Sequence, residues 1–282
     1  FKEVLHCEIN TELSSIVKHN TQQLNIKNVV TFSGDGIAYL KNTVVNFDCI
    51  YIDPSRRNNL KEKVFLLKEC VPNVPENIDF LFSKTNQILL KNSPILDITS
   101  AINELQFVKE IHVIAVKNEV KEVLFLLEKN YEEEIHIKTI NILKKNSQKF
   151  NFNLNKKVVS SYTAPLTYLY EPNAALLKSG GFHHISNQLK VFKLHQHSHL
   201  YTSENLINFP GRTFKVETVI SYDKKQISKL VSSKKANITT RNFPKTVAQI
   251  RLETKIKDGG TLFLFFTTNN DGKFIVIFCS KL

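Results

Sequence analysis

The 282-residue sequence predicts an α/β protein, with a mostly parallel sheet followed by two small α+β domains. Up to about residue 143, short runs rich in β-branched residues alternate with helical or turn segments, which is typical of a sheet covered by helices on both faces. After about residue 145 the sequence becomes polar and basic, which indicates a change of domain. No run of about 18 apolar residues exists, so the sequence predicts no membrane span and no membrane partner.

The first run, VLHCEI, predicts a strand, and Asn10 is expected to cap the helix that follows it. Apolar residues recur at helical spacing from Leu13 to Leu24 in that segment. A later run, EVKEVLFLLEKN, predicts another helix, which leads to the last strand of this domain. The predicted strands after the first are VVTF, FDCIYI, QILL, EIHVIAV and EIHIKTINIL.

The second half begins with KKNSQKFNFNLNKK, which predicts a linker or an edge hairpin. Glu171 and Pro172 are expected to open a helix that runs through Leu177 and ends at Gly180 and Gly181. Asn270-Asp271-Gly272 predicts the turn of a final hairpin. We predict domains at residues 1–145, 146–215 and 216–282. The other predicted elements are strands at KVFKLH, HLYT, TFKVETVI and ANITT, and helices at DKKQISKLV and TVAQIRLE.

The strongest candidate for a site is the loop after the buried run FDCIYI. Pro54 cannot continue a central strand, so Asp53 becomes the first polar group at the carboxyl end of that strand. Ligands gather at this edge in parallel α/β sheets. Arg56 and Arg57 follow at once, and a guanidinium matches a phosphate or a carboxylate bidentately. Alternatively, these arginines pair with an acid at a domain interface.

The charge of the sequence favours a polyanionic partner. Thirty-eight Lys and Arg against 26 Asp and Glu give a formal charge of +12 and a pI near 9.4. Basic side chains release condensed counterions when they neutralise phosphates, so the sequence predicts RNA as the partner. The alternative is a generally basic surface, because the lysines are spread along the chain.

Other classes of site receive little support from the sequence. The four cysteines show no CxxC spacing, which favours a reducing cytoplasm over a disulfide framework, and no signal peptide pattern opens the chain. His195, His197 and His199 alternate, which would place three imidazoles on one face of a strand. We nevertheless predict no metal site, because no carboxylate or cysteine lies near them in sequence. No G-x-S-x-G elbow indicates a serine hydrolase.

The order strand, Glu8, helix, strand, Gly34-Asp35, strand, Asp53-Pro54 resembles a class I S-adenosylmethionine-dependent methyltransferase with a Rossmann-like sheet, read from its second strand onward. The resemblance implies that Glu8 binds the ribose hydroxyls of S-adenosylmethionine and that Asp35 faces its adenine. It also implies that Asp53 and Pro54 are catalytic and hold the amino group to be methylated. In this sequence that motif reads Asp53-Pro54-Ser55-Arg56.

Seven motifs in order resemble a bacterial family in which a methyltransferase domain precedes ferredoxin-like and THUMP-like domains. They are DPSRR, SPILD, YEPNAALLKSGGF, SHLYTS, FPGR, RNFP and KDGG. THUMP domains bind structured RNA, so the resemblance implies a structured RNA partner such as tRNA or rRNA. Arg212 and Arg241 in FPGR and RNFP are then expected to bind substrate together with Arg56 and Arg57.

Methyltransferases of this class cradle the methionine part of the cofactor on a Gly-rich loop after the first strand. All eight glycines of this sequence lie at position 34 or later, so we expect the first strand and its loop to be absent and the cofactor site to be half represented. The predicted function is methyl transfer from S-adenosylmethionine to RNA, at a base nitrogen. The alternative is a non-catalytic RNA-binding protein that retains the methyltransferase fold.

Overall fold

A computed structural model describes residues 1–55, 66–154 and 156–282. Its first half contains eight of the strands found in those ranges: β1 (Val4–Glu8), β2 (Val29–Ser33), β3 (Ile50–Ile52), β4 (Gln87–Asn92), β5 (Val108–Val116), β6 (Glu119–Glu128), β7 (His136–Ile142) and β8 (Ser147–Asn153). The helices between them are α1 (Thr11–Gln23), α2 (Gly36–Asn42), α3 (Val74–Phe82) and α4 (Ile98–Glu104), with a 3-10 turn at Leu67–Glu69.

The second half alternates seven strands with four helices in the described ranges. The strands are β9 (Tyr168–Pro172), β10 (Phe192–Lys193), β11 (Tyr201–Ser203), β12 (Gly211–Ser221), β13 (Asn237–Arg241), β14 (Leu262–Thr268) and β15 (Phe274–Lys281). The helices are α5 (Ala174–Ser179), α6 (Phe182–Leu189), α7 (Lys224–Leu230) and α8 (Val247–Thr254). This mixture of helices and sheets confirms the predicted α/β class.

The strands form three sheets. β1 and β2 pair in parallel as a two-stranded sheet. The central sheet has six strands in the order β3-β4-β6-β5-β7-β8, where β3 and β4 are parallel and β6 runs antiparallel to both of its neighbours. The prediction of a mostly parallel sheet is therefore wrong, because this sheet is mixed. The third sheet has seven strands in the order β10-β11-β9-β12-β15-β14-β13. Within the described residues, β1 and β3 each have a strand partner on one side.

Local signals in the sequence explain several helix boundaries. Asn10 caps α1 as predicted, because its side-chain oxygen accepts hydrogen bonds from the backbone N–H groups of Glu12 and Leu13. Asp35 caps α2 in the same way through the N–H of Ile37. Gly180 ends α5 in the left-handed conformation, with a φ of 73° that favours glycine.

The helix predicted for EVKEVLFLLEKN is wrong, since Glu119–Glu128 is the strand β6. Lys117 and Asn118 both have positive φ, at 50° and 65°, and make the two-residue turn of a β5-β6 hairpin. Buried residues alternate along β6 at Val123, Phe125 and Leu127, which is the spacing of a strand. An uninterrupted apolar run fits either element, and here the turn and the pairing with β4 and β5 decide it.

Two predictions in the second half are corrected in part. KKNSQKFNFNLNKK supplies the edge strand β8, so the edge hairpin is confirmed and the linker is wrong. Glu171 and Pro172 end β9 instead of opening a helix, because Asn173 is the residue that caps α5 through the N–H of Leu176. The predicted Asn270-Gly272 turn is confirmed between β14 and β15.

The core of the central sheet continues into the second half of the chain. Helix α5 packs on β5, β6 and β7, and Tyr170, Tyr201 and Phe209 belong to the same cluster of buried residues as the central sheet. Two further cores cover opposite parts of the seven-stranded sheet, one under α7 and α8 and one around Phe214 and Phe265. Within the described ranges, no helix is long and apolar enough to cross a bilayer.

Candidate functional site

The four residues predicted to form the methyltransferase site all lie where strands end. Glu8 is the last residue of β1, and one of its carboxylate oxygens accepts a hydrogen bond of 2.7 Å from the N–H of Asn10. Asp35 follows β2. One of its carboxylate oxygens accepts a 2.8 Å hydrogen bond from the N–H of Ile37, and this bond caps α2. Asp53 and Pro54 follow β3 directly.

The turn between β2 and α2 contains two glycines, and close packing requires only the first of them, Gly34. A Cβ at Gly34 would lie 2.7 Å from the Phe32 ring, and a Cβ at Gly36 would contact the side chain of Cys7 at 3.4 Å. Burial raises the pKa of the Cys7 thiol, and the nearby carboxylate of Asp35 raises it further. The backbone between β2 and α2 is thus packed tightly beside β1, and it holds Asp35 next to the end of that strand.

Asp53 forms an ion pair with Lys91 of the neighbouring strand β4. The distance from Lys91 Nζ to Asp53 Oδ2 is 2.6 Å, and the two side chains are 27% and 48% exposed. This hydrogen bond raises the pKa of Lys91 above its ordinary value, so the ammonium group stays charged at neutral pH. Because Asp53 remains half exposed and its Oδ1 is not used by Lys91, the carboxylate can still accept a hydrogen bond from another group.

A surface pocket of about 330 Å³ lies against this ion pair. It opens between the carboxyl ends of β3 and β4, and its lining residues are Asp53, Pro54, Lys91, Asn92, Ser93, Pro94 and Lys121. Asn92 is 5% exposed, yet its side-chain nitrogen has no hydrogen-bond partner among the described residues. A buried amide without a partner is rare in proteins, and it marks this pocket as a place where a ligand acceptor would be favourable.

A larger surface pocket of about 380 Å³ lies elsewhere, between β7, β8 and α6. Phe152 and His184 stack at its floor and are both buried, so their ring faces are already covered. We place the candidate site in the smaller pocket, because it combines the predicted acid with an unpartnered polar group.

The predicted substrate-binding arginines divide into two groups. Arg56 and Arg57 lie outside the described residues. Arg212 and Arg241 both bind Glu171, whose side chain is 4% exposed. Arg212 Nε donates to one oxygen of that carboxylate at 2.6 Å, and Arg241 Nη2 donates to the other at 2.7 Å.

The strand predicted to carry three histidines is instead a turn between β10 and β11. Ser198 donates a hydrogen bond to the carbonyl oxygen of His195, and His199 has a positive φ of 51°, which breaks the extended alternation. His199 stacks on Phe182 with ring centroids 3.6 Å apart, while His195 and His197 lie on the surface side. In the described part of the chain, no group of three or more His, Cys, Asp or Glu residues is placed to hold a metal ion.

Sequence reasoning missed Lys91, Asn92 and Glu171. Lys91 and Asn92 end β4, the strand next to FDCIYI. The polar pair after QILL was therefore the sequence signal that this edge of the sheet carries further residues of the candidate site. For Glu171 the signal was an acid inside the apolar run TYLYEP. Its partners are 41 and 70 residues away in sequence, and local patterns do not reveal such pairing.

The fold is of the α/β class, with acids at or just after the carboxyl ends of β1, β2 and β3. Residues 168–210 match the family of a ferredoxin-like domain, and residues 211–281 match a THUMP domain-like family. The chain is similar to the crystal structure of a putative methyltransferase from Porphyromonas gingivalis W83, with 34% identity and a TM-score of 0.89. The similarity covers 99% of this chain and 72% of that chain. No curated protein matches the chain.

At this identity over nearly the whole chain, the protein belongs to the family of the Porphyromonas protein, in which a methyltransferase-type domain precedes ferredoxin-like and THUMP-like domains. The resemblance stated from the seven motifs is confirmed. The exact domain boundaries and the roles of the site residues stay predictions.

Proposed function

We propose that the protein is an S-adenosylmethionine-dependent methyltransferase that acts on RNA, at a base nitrogen. The observation that carries the proposal is the pocket between β3 and β4, where the half-exposed carboxylate of Asp53, Pro54 and the unpartnered amide of Asn92 meet. The similarity to a putative methyltransferase and the THUMP-like match support it.

The residues of the chain fit the nucleoside half of the cofactor. Glu8 and Asp35 each commit one carboxylate oxygen to a backbone N–H and keep a second oxygen for another donor. We propose that Glu8 binds the ribose hydroxyls and that Asp35 faces the adenine. When bound, S-adenosylmethionine supplies a methyl group activated by a sulfonium. Its methionine half would need a close backbone approach of the kind that a Gly-rich loop allows, and the first glycine of this sequence is Gly34.

The acceptor base is held by this chain's own polar groups. An exocyclic amine carries two N–H donors, and the carboxylate of Asp53 and the carbonyl of Pro54 are acceptors that would fix its orientation. Asn92 would donate its free N–H to a ring nitrogen or carbonyl oxygen of the same base. Methyl transfer to nitrogen is a direct displacement, so these residues would act by positioning and no nucleophilic side chain is required.

The acceptor can donate to the Oδ1 atom of Asp53, and it then shares the carboxylate with Lys91, whose Nζ lies 2.6 Å from Oδ2. A half-exposed ion pair contributes little to stability, so breaking it costs little free energy. We therefore propose that Lys91 holds Asp53 in place until the base arrives and is then free to turn toward an RNA phosphate.

The test is methyl transfer from radiolabelled S-adenosylmethionine to RNA from a strain that lacks the gene, using the full-length natural protein. Asp53→Asn should lower the rate by about 100-fold, because misplacing an acceptor atom costs on that order. Cofactor affinity measured by calorimetry should stay unchanged, since Asp53 would act on the acceptor. Asp258→Asn is the matched control, because Asp258 is an 82% exposed acid paired with Arg251 of α8 and lines neither of the two pockets.

The rival function, an RNA-binding protein without catalysis, makes a different prediction. The natural protein would then transfer no methyl group to any RNA while still binding it. Equal methyl transfer by Asp53→Asn and by the unmodified protein would also show that this pocket is not the acceptor site.

A further inference from the structure

Two arginines and one buried glutamate form a charged cluster that the methyl-transfer proposal leaves unexplained. The cluster consists of Glu171 on β9, Arg212 on β12 and Arg241 at the end of β13. β9 and β12 pair directly, with Glu171 opposite Arg212, whereas β15 and β14 lie between β12 and β13 in the sheet order. The guanidinium of Arg241 therefore reaches the carboxylate from a separate part of the sheet.

The cluster carries more positive charge and more hydrogen-bond donors than its carboxylate can use. One negative charge faces two positive charges, so one positive charge remains. Each guanidinium has five N–H donors, and Glu171 accepts two from Arg212 and one from Arg241. Arg241 Nε is buried and has no partner among the described residues. The two arginine side chains are 40% and 37% exposed, so their remaining donors face the solvent side of the cluster.

The arginines are held rigidly. Glu171 is 3% exposed as a whole residue, and its carboxylate holds one edge of each guanidinium in place. Arg212 also lies over the ring of Phe214, with its guanidinium carbon 5.5 Å from the ring centroid. Two guanidiniums fixed on one carboxylate keep their planar forks oriented without further loss of side-chain entropy, which is the arrangement that favours bidentate binding of an anion.

Neighbouring polar groups form a rim around the same cluster. His199 has a buried Nδ1 atom without a partner among the described residues. Burial first, together with the nearby cations Lys193 and Arg241, lowers the pKa of His199 to about 4, so the imidazole is neutral at pH 7. Asn242 follows Arg241 and contacts His195 Nδ1 at 3.0 Å through its side-chain nitrogen. The rim thus offers neutral polar groups and no further carboxylate among these residues.

If the cluster only stabilised the fold, one arginine beside Glu171 would be enough, and the second arginine would remain unexplained. A single guanidinium neutralises Glu171, and burying an unpartnered Nε costs free energy that a structural pair does not recover. An anion that bridges both forks would use the surplus charge and the free donors. We propose that Arg212 and Arg241, oriented by Glu171, bind one backbone phosphate of the RNA substrate. This inference rests on the proposed function, because it takes RNA as the source of the phosphate.

The test measures binding of a fluorescein-labelled RNA hairpin to the full-length protein between about 50 and 200 mM salt. Arg212→Gln and Arg241→Gln should each weaken RNA binding. Each should also make the slope of log affinity against log salt concentration shallower by about 0.7 to 0.9, which is the contribution of one neutralised phosphate. The double variant should lose no more slope than either single variant, because both arginines hold the same phosphate. Arg251→Gln is the matched control, since its guanidinium is bound to Asp258 and to two backbone carbonyls.

Folding of each variant is checked by urea denaturation. If the glutamine variants unfold, Arg212→Lys and Arg241→Lys keep the charge and the contact with Glu171 but lose the fork, and they should still weaken RNA binding. An unchanged salt slope in all these variants, with salt-sensitive binding by the natural protein, would overturn the phosphate site and leave the RNA substrate standing. No RNA binding by the natural protein would overturn both.

A second arm distinguishes an RNA phosphate from a free phosphate ion. In protein labelled with ¹⁵N at arginine, the Nε–H resonance of Arg241 should shift when the RNA hairpin is added. A shift with inorganic phosphate and none with the hairpin would assign the site to a free ion and overturn the proposal.

Discussion

Asp53 and Glu171 are two carboxylates that bind cations in opposite surroundings. Asp53 is 48% exposed and has one ion pair, with Lys91 at 2.6 Å. Glu171 is 4% exposed and binds arginines from two strands. An exposed ion pair contributes about 0 to 1 kcal/mol to stability, whereas removal of one partner from a buried pair costs about 3 to 5 kcal/mol. A carboxylate–cation pair is therefore expected to break at low cost at Asp53 and at high cost at Glu171.

The largest expected effect is that of Glu171→Gln. The variant leaves two guanidiniums without a counter-charge, and we expect it to lower the free energy of unfolding by about 3 kcal/mol, at the low end of the buried range because both arginines are partly exposed. Urea denaturation measures the loss, with Glu119→Gln as an exposed control that should cost less than about 1 kcal/mol. If Glu171→Gln and Glu119→Gln lowered the free energy of unfolding equally, the buried pair would contribute no more to stability than the exposed pair, and the prediction would be wrong.

Gly211→Ala should disturb the strand pairing that aligns Glu171 with Arg212. A Cβ at position 211 would lie 2.0 Å from the backbone oxygen of Glu171, so β9 and β12 must move apart. We expect a loss of about 1 to 3 kcal/mol in unfolding free energy, as for other overpacked sites. Gly36→Ala is the control, because its Cβ would make a tight but tolerable contact at 3.4 Å. A Gly211→Ala variant as stable as the control would show that this close approach is not needed.

Lys193 extends the comparison of the Asp53 and Glu171 ion pairs to a buried cation that has no carboxylate partner among the described residues. Its ammonium donates to the carbonyl of Gln196 at 2.9 Å, and burial lowers its pKa from 10.5 to about 8. Between pH 8 and 10.5 the unfolded chain binds this proton more fully than the folded chain, so the contribution of Lys193 to stability rises with pH across that window. Relative to Lys193→Met, the natural protein should gain stability from pH 8 to 10.5 in urea denaturation. A constant difference between the two proteins would contradict the lowered pKa.

The smallest stability effect is expected for Asp53→Asn. Its ion pair with Lys91 is half exposed, so the free energy of unfolding should change by less than about 1 kcal/mol even where methyl transfer falls steeply. Thermal melts and methyl-transfer assays on the same samples measure the two effects. A loss of stability as large as that of Glu171→Gln, with activity falling in proportion, would mean that Asp53 is architectural as well.

Local signals predicted much of the fold. The Asn10 cap, the Asn270-Gly272 turn and the position of Asp53 directly after a strand all depend on residues adjacent in sequence, and the structure has each of them. The prediction that this strand is central and buried is wrong, because β3 lies at the edge of the six-stranded sheet in the described residues and Tyr51 is exposed. The run VLFLL at 123–127 is apolar throughout, so its period does not distinguish a strand from a helix. The turn at Lys117 and Asn118 and the pairing of β6 with β4 and β5 decide between the two in the structure.

The site was predicted in part for the same reason. Glu8, Asp35 and Asp53 could be named as candidates because each acid lies in or shortly after a strand-like run in one short stretch, and their roles stay predictions. Asn92 became notable only when the structure showed its amide to be buried and without a partner among the described residues. The contact of Glu171 with Arg241 joins positions 70 residues apart, and such a contact follows from the sheet order and not from any local pattern.

The pairing of β9 with β12 has a consequence for substrate choice. The boundary between the two matched domains falls between residues 210 and 211, so a continuous ladder of backbone hydrogen bonds crosses it. On the other side, α5 packs against the central sheet that carries the Asp53 pocket. These two contacts thus connect Arg212 and Arg241 rigidly to the pocket, so the distance between the arginine pair and the pocket is expected to be constant. Under the proposed function, we expect an RNA to be selected by the length of backbone between a phosphate bound to the arginines and the base in the pocket, before any base is read.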